Sequence, residues 1–501
     1  MKKRLFIIFL ACLFMISGLF PNQPSAAGAR QEGEFRAFWV DAFHDGFKTE
    51  AQVDQLIEDV EAANANAVIV QVRRRGDSYF NKALEPRTQD PSLQEGFDVL
   101  EDLIDKAHSK GIEVHAWLAT LPIWNSTTPP TSPDHVFNTN GPAAEGEDFW
   151  LMTNANGAMR SGADYVLDPG HPDALDYTVD QYVNVVKNYD VDGIHLDLAR
   201  YMGTDWGYNP TSVARYQEAF QTDSIPEPND PNWAEWRREQ VNSMVRKVYL
   251  KAIAVNPQVK VSCATIAWGA GPKTQEEYNN TRTMTEVFQD WQSWLRDEII
   301  DIAIPMNYDR EHVESQRQWY DEWIAFQKAN QFNRQIAAGP AAYLNSIDST
   351  LAQTRRALAP DDEGRKLAGV SYYSYAVTDM NNQPRSAFLD ALVNGTETEA
   401  AVYLDKADVP EMKWKTKPKR GYLMGQARTF KKQDITDSTL EIRGAKGFRK
   451  TIKTDGNGWF GLSGLKPGAY VIKLSGDQHK SPAYPVIIKA GKVKNMTIIG
   501  K

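Results

Sequence analysis

The sequence predicts an α/β fold, a (β/α)8 TIM barrel followed by a small all-β sandwich, on three observations. Between Phe35 and about Asn394, eight short runs rich in β-branched residues alternate with longer amphipathic stretches. That is the pattern of parallel strands joined by crossover helices. No glycine-rich dinucleotide loop follows the first run, which disfavours an open doubly wound sheet. Beyond Gly421 the apolar period changes to two, with Gly, Pro, Asp and Asn between the runs.

The predicted barrel strands are, in order, Phe35–Val40, Ala67–Val72, Glu113–Leu118, Gly193–Leu198, Lys260–Thr265, Asp301–Met306, Gln335–Gly339 and Leu367–Tyr372. Helical periodicity marks Thr49–Ala63, Val99–Ser109, Trp233–Ala254, Met284–Arg296, Glu314–Ala329, Leu351–Ala359 and Arg385–Leu392. The insertion Leu121–Asp164 leaves the carboxyl end of the third strand. In a barrel it belongs to the active-site face, as a lid or binding loop.

The division expected is a signal peptide over residues 1–29, the barrel over 33–396, a linker over 397–420 and the sandwich over 421–501. The leader reading rests on Lys2, Lys3 and Arg4, the apolar run Leu5–Phe20 and small residues at Ser25–Ala27. It implies a secreted or cell-wall-associated chain of a Gram-positive exporter, not an integral membrane protein. Loss of the leader removes Cys12 and leaves Cys263 as the single thiol, so stability must come from a large core. A net charge of −9 argues against nucleic acid as the main ligand. Oligomeric state has no signature in the sequence. In the last stretch, Thr454–Phe460 and Leu465–Tyr470 resemble the turns of prealbumin-like, carboxypeptidase-regulatory-like modules. A separate sandwich implies that truncation after about Thr398 leaves turnover intact.

In a barrel, polar residues at strand carboxyl ends converge on one pocket. The candidates there are Trp39 and Asp41 from the first strand, Arg73 from the second, His115 and Trp117 from the third, and His195, Asp197, Arg200 and Tyr201 from the fourth. Trp268 follows the fifth strand, Asn307, Tyr308 and Asp309 the sixth, Tyr343 the seventh and Tyr373 the eighth. Asp197 and Asp309 are the candidate catalytic pair, because glycoside hydrolysis needs a proton donor and a second carboxylate. Asp41 is in reserve, and a helix N-cap is the competing role for Asp309. The remaining candidates would bind substrate, the aromatics by stacking on sugar rings. His44, His115, His195 and Asp197 lack metal-ligand spacing and no Gly-x-Ser-x-Gly elbow occurs, so neither a metal nor a cofactor is expected.

Arg36–Val40, Gln71–Arg73 with Gly76 and Asp77, Leu167–Pro172 and Gly193–Tyr201 together resemble the bacterial glycosyl hydrolase-like 10 group, over roughly Glu34 to Asn394. The resemblance implies a secreted or envelope barrel enzyme acting on glycans, with peptide-free peptidoglycan strands among the substrates of relatives. A fainter likeness to chitinase-type barrels rests on Met306–Asp309. There Ala199 stands in place of the acid Glu, and Asp197 matches the carboxylate that orients an acetamido group. The expected activity is hydrolysis of N-acetylated glycans. Its rival is a non-catalytic glycan-binding barrel, which Ala199 favours.

Overall fold

The structure is a computed structural model that describes residues 33–476 and 479–501. The expected leader lies outside the described residues. Eight strands, β1 (Phe35–Val40), β2 (Ala67–Arg73), β3 (Glu113–Ala119), β4 (Gly193–Asp197), β5 (Lys260–Ile266), β6 (Ile302–Asn307), β7 (Gln335–Pro340) and β8 (Gly369–Tyr373), close into a barrel in sequence order. Neighbours pair in parallel all the way round, β8 against β1 included. Each strand falls where the sequence predicts it, because both faces are covered and the apolar runs are therefore nearly continuous. The two-residue period sends Phe35, Ala37, Trp39, Ile69 and Ile304 to the barrel interior. It sends Phe38, Val40, Val68, Val70 and Leu196 outward against the helices. Cys263 on β5 is fully buried beside Leu196 of β4, and burial pushes its thiol well above the ordinary range.

Polar caps set the helix starts. Thr49 accepts from Gln52 N ahead of α1 (Glu50–Ala62), and Asp98 from Glu101 N ahead of α2 (Val99–Ser109). A helix absent from the sequence prediction, α3 (Pro172–Asn188), precedes β4, and α4 (Pro210–Phe220) and α5 (Pro231–Val255) follow it. The ring is completed by α6 (Glu314–Ala329), α7 (Ile347–Leu358) and α8 (Arg385–Asn394). The helix expected at Met284–Arg296 is instead two short pieces, Arg282–Thr285 and Trp291–Arg296. Phe288 between them is left-handed at φ 55°, and Asp290 caps the second piece through Ser293 N.

The insertion after β3 is pinned to the rim. Its strands Pro122–Trp124, Arg160–Ser161 and Asp164–Val166 form a small sheet, and Arg75 bonds Asp164 at 2.7 Å. Fully buried Asp168 accepts from Gly170 N, which fixes the turn into α3; burial raises its carboxyl to about 6.

The carboxyl-terminal strands are β9 (Gly421–Thr429), β10 (Thr439–Gly444), β11 (Arg449–Lys453), β12 (Trp459–Leu465), β13 (Gly468–Leu474), β14 (Tyr484–Ile488) and β15 (Val493–Gly500). They form two sheets, β12-β9-β15 and β11-β10-β13-β14, over a core that includes Leu423, Ile442, Phe460 and Ile472. The arrangement is compatible with the prealbumin-like resemblance. It differs from a wholly antiparallel sandwich in that β9 and β15 pair in parallel. Gly425 permits that approach, since a Cβ there would collide with Met496 O.

Barrel and sandwich belong to one compact unit, Gly33–Lys501. Lys247 of α5 bonds Asp455 at 2.7 Å, and Arg215 of α4 grips Asp437 through Nε and Nη2. Residues 397–420, expected as a linker, cross the barrel floor. Arg36 donates to Asp405 O, Glu34 N to Asp408 O and Asn66 to Ala407 O. Met412 joins the interior cluster, and Lys415 meets fully buried Asp301 at 2.9 Å.

Candidate active site

The barrel interior is layered, and the layers sort the predicted residues. At the floor, His115 packs edge-on against Phe35 and bonds Glu113 at 3.2 Å, with Lys260 also on that carboxylate. His115 lies two residues into β3, far down the strand from the mouth. In the middle layer His195, fully buried, joins Trp39 and Ser262. An indole N–H can only donate, so His195 Nε2 accepts from Trp39 at 3.1 Å and Nδ1 donates to Ser262 Oγ at 2.8 Å. Burial holds the ring well below its ordinary pKa, with His115 adding to the effect. Trp39 and His195 are thus packing beneath the site.

Above them the strands stop being fully buried. Asp197, Arg200, Trp268, Tyr308, Tyr343 and Tyr373 are half-buried at the carboxyl ends, which marks the floor of the cleft. Asp197 Oδ2 accepts from Trp117 Nε1 at 3.2 Å and Oδ1 from Leu198 N at 2.8 Å. Leu198 reaches that position with φ at 56°, a left-handed conformation costly for a branched side chain. Burial raises the Asp197 carboxyl above the usual range, while Arg200 and the two N–H donors oppose the rise. Arg200 lies over the Trp268 ring at 5.4 Å, and Arg282 lies over the same ring at 4.9 Å.

The three tyrosines form one cluster. Tyr308 stacks on Tyr373 at 5.5 Å, and Tyr343 meets both edge-on. Burial is the main cause of the raised phenols of Tyr308 and Tyr373, and both also feel the charges of Asp197 and Asp41. Asp41 is buried and accepts from Phe43 N, His44 N and the His44 ring through Oδ1. Its Oδ2 has no partner among the described residues. Fully buried Asn307 accepts from Gly339 N at 3.4 Å.

Asp309 lines a cleft of about 410 Å³ with Trp268, Arg282, Tyr308, Gln316 and Trp319. Asn345 and Gln353 hold its carbonyl at 3.0 Å each. Its Oδ2 is buried without a partner among the described residues, and burial alone raises the carboxyl to about 7. It caps no helix, since α6 begins at Glu314 with Val313 before it.

Two further predicted residues lie outside this group. Arg73 follows a register shift in β2 and turns to a buried ion pair with Glu85 at 2.7 Å. Tyr201, fully buried, stacks edge-on with Phe288 and reaches toward Asp168 at 3.5 Å. Arg282, Gln316 and Trp319 were not predicted. Gln316 and Trp319 are three apart in the first turns of α6, which follows the mouth end of β6, so helical spacing was their available signal.

His44, His115 and His195 stand in different layers, and among the described residues no three His, Cys, Asp or Glu side chains converge as metal ligands. The arrangement offers one carboxylate bonded by N–H groups beside an arginine, a second held in a dry setting, and an aromatic wall. Trp268→Ala is expected to weaken binding of a soluble glycan oligomer by about 1–3 kcal/mol, by analogy with base stacking, with an unchanged melting temperature. Calorimetric titration checks it; unaltered affinity would remove Trp268 from the cleft's ligand surface.

The family described as glycosyl hydrolase-like 10 matches residues 34–344. The chain is 25% identical to glycosyl hydrolase YngK of Bacillus subtilis (strain 168) over 462 residues, 86% of this chain and 83% of that protein. It is 24% identical to glycosyl hydrolase DigH of Escherichia coli (strain K12) over 269 residues, 52% of this chain and 58% of that one. Among solved structures, the glycoside hydrolase domain of PgaB (BpsB) from Bordetella bronchiseptica superposes with a TM-score of 0.52 at 16% identity, over 71% of this chain and 98% of that domain.

Proposed function

The chain belongs to the glycosyl hydrolase-like 10 family, and from that membership we propose that it hydrolyses N-acetylated glycans, peptide-free peptidoglycan strands among them, outside the cytoplasm. Family and barrel together support a glycosidase. The observation that carries the mechanism is the unequal setting of two strand-end carboxylates. Asp309 is raised to about 7 with no cation opposing the rise, whereas Asp197 has Arg200 and two N–H donors. Burial raises both acids, Asp309 unopposed and Asp197 against opposing groups, and that difference of setting is what assigns their roles. Asp309 holds the proton for the leaving oxygen, and ionised Asp197 attacks or stabilises the positively charged sugar. Ala199 stands where chitinase-type barrels carry their acid and has no proton to give, which supports taking the donor from the turn after β6.

Incubation with peptide-free peptidoglycan strands and with chitin oligomers should produce new reducing ends. Binding of both without new ends would favour the glycan-binding barrel that Ala199 suggests.

The pH profile follows from Asp309. A donor must be protonated, so kcat/KM should fall as pH rises through about 7. Its folded pKa lies above the unfolded value of about 4. The proton-linked stability is therefore complete below about 4 and lost as pH rises through about 7. Asp309→Asn should then melt higher than the parent above pH 7 while losing turnover. A parent profile flat from pH 6 to 8 would take the donor role from Asp309.

A further inference from the structure

The charge of the chain is unevenly distributed. Between Gly421 and Lys501 the sequence has fifteen Lys and Arg against five Asp and Glu, within a chain whose net charge is −9. The structure makes that excess more pronounced at the surface. Asp437 and Asp455 face the barrel, on Arg215 and Lys247. Glu441 is shared by Arg443, Arg449 and Lys473, and Asp434 is taken by Arg428. The four described acids of the sandwich are therefore all engaged, and its outward surface is cationic.

One place on that surface is concave. Along β13, β14 and the turn into β15, a trough of about 770 Å³ is lined by Lys489, Lys492 and Lys494 over Tyr470 and Ile487, with no carboxylate in its wall. All three lysines are exposed, and none has a carboxylate within ion-pair distance among the described residues. Ile487 is 59% exposed, an apolar floor between charges. Lys492 and Lys494 share a face by the two-residue period, about 7 Å apart.

We propose that the sandwich docks the protein on a phosphodiester-linked anionic polymer, which enters through this trough. A polymer suits the surface better than a bilayer. The cations line a concave trough with no acid in its wall, and a flat membrane cannot enter it. A flexible chain can run along the trough. Attraction to a polyanion by a protein of net negative charge then depends on the local field of one module. The proposal does not depend on the hydrolytic reading of the barrel.

The test uses the full chain on immobilised poly(glycerol phosphate), with anionic phospholipid vesicles as the second arm. Retention is expected at about 50 mM salt, with elution as salt rises and counterions compete. The triple variant K489E/K492E/K494E should flatten the slope of log affinity against log salt by about two to three. K187E on a barrel helix should leave the slope unchanged, and turnover of soluble glycan oligomers should be the same in all three proteins. The triple Lys→Gln variant, which only removes charge, should fall between parent and Glu variant. Retention of the triple Glu variant at the parent's level overturns the proposal, as does stronger binding to the vesicles than to the polymer.

Discussion

Asp197→Asn should lower turnover at least ~100-fold, about 2.7 kcal/mol of barrier, and leave fold and substrate affinity largely in place. The amide keeps the shape of the carboxylate, so the bonds from Trp117 Nε1 and Leu198 N can still end on an oxygen. What is lost is the negative charge that attacks, or balances, the positively charged sugar in the transition state. Because that charge is needed more in the transition state than in the bound substrate, the loss appears in kcat and only weakly in KM. Removing a charge whose pKa burial has already raised should not destabilise the fold. Single-turnover kinetics with a thermal melt on the same sample check both halves. Hydrolysis at the parent's rate would take Asp197 out of the mechanism, and an unfolded variant would mark it as a rim carboxylate.

Ending the chain after Thr398 should cost the barrel its fold, the reverse of what a linker at 397–420 implies. The segment supplies Lys415 and Trp414 to Asp301, which also accepts from Tyr249 OH and Val261 N inside the barrel floor. Removing one partner of a buried ion pair costs about 3–5 kcal/mol, a large share of the 5–15 kcal/mol that stabilises a typical domain. The same cut uncovers the interior cluster that Met412 closes and frees the Asn64, Asn66 and Arg36 side chains from their backbone acceptors. A chain ending after Arg420 keeps that strap and should retain a cooperative melt. If the shorter chain melts like the full protein and turns over oligomers, the strap is dispensable.

The barrel was legible because its strands are buried on both faces, which writes long apolar runs into the sequence, and Thr49 and Asp98 mark helix starts by their chemistry. The region Met284–Arg296 was not legible: its apolar spacing is helical, but the left-handed Phe288 and the cap at Asp290 divide it. The mouth positions of Asp197, Trp268, Tyr308 and Asp309 were legible, since each ends a strand or follows one within two residues. His115 misled because a polar residue two places into a strand shares the parity of the mouth residues while lying at the opposite end. Arg73 and Tyr201 misled because a register shift in β2 and the turn at Leu198 redirect the chain just where alternation is extrapolated. Arg282, Gln316 and Trp319 come from outside the strands, and no strand pattern contains them.

Cys263 gives the closed sheet an observable of its own. Cys263 is the pairing partner of Leu196, the neighbour of Asp197, and its side chain packs outward beneath the helices of a closed barrel that has no edge strand from which fraying can begin. A thiol reagent can therefore reach it only when the helix layer lifts from the strands beside the cleft. Its labelling rate under native conditions measures how often that layer opens, and a ligand bridging β4 and β6 is expected to slow the clock in proportion to its occupancy.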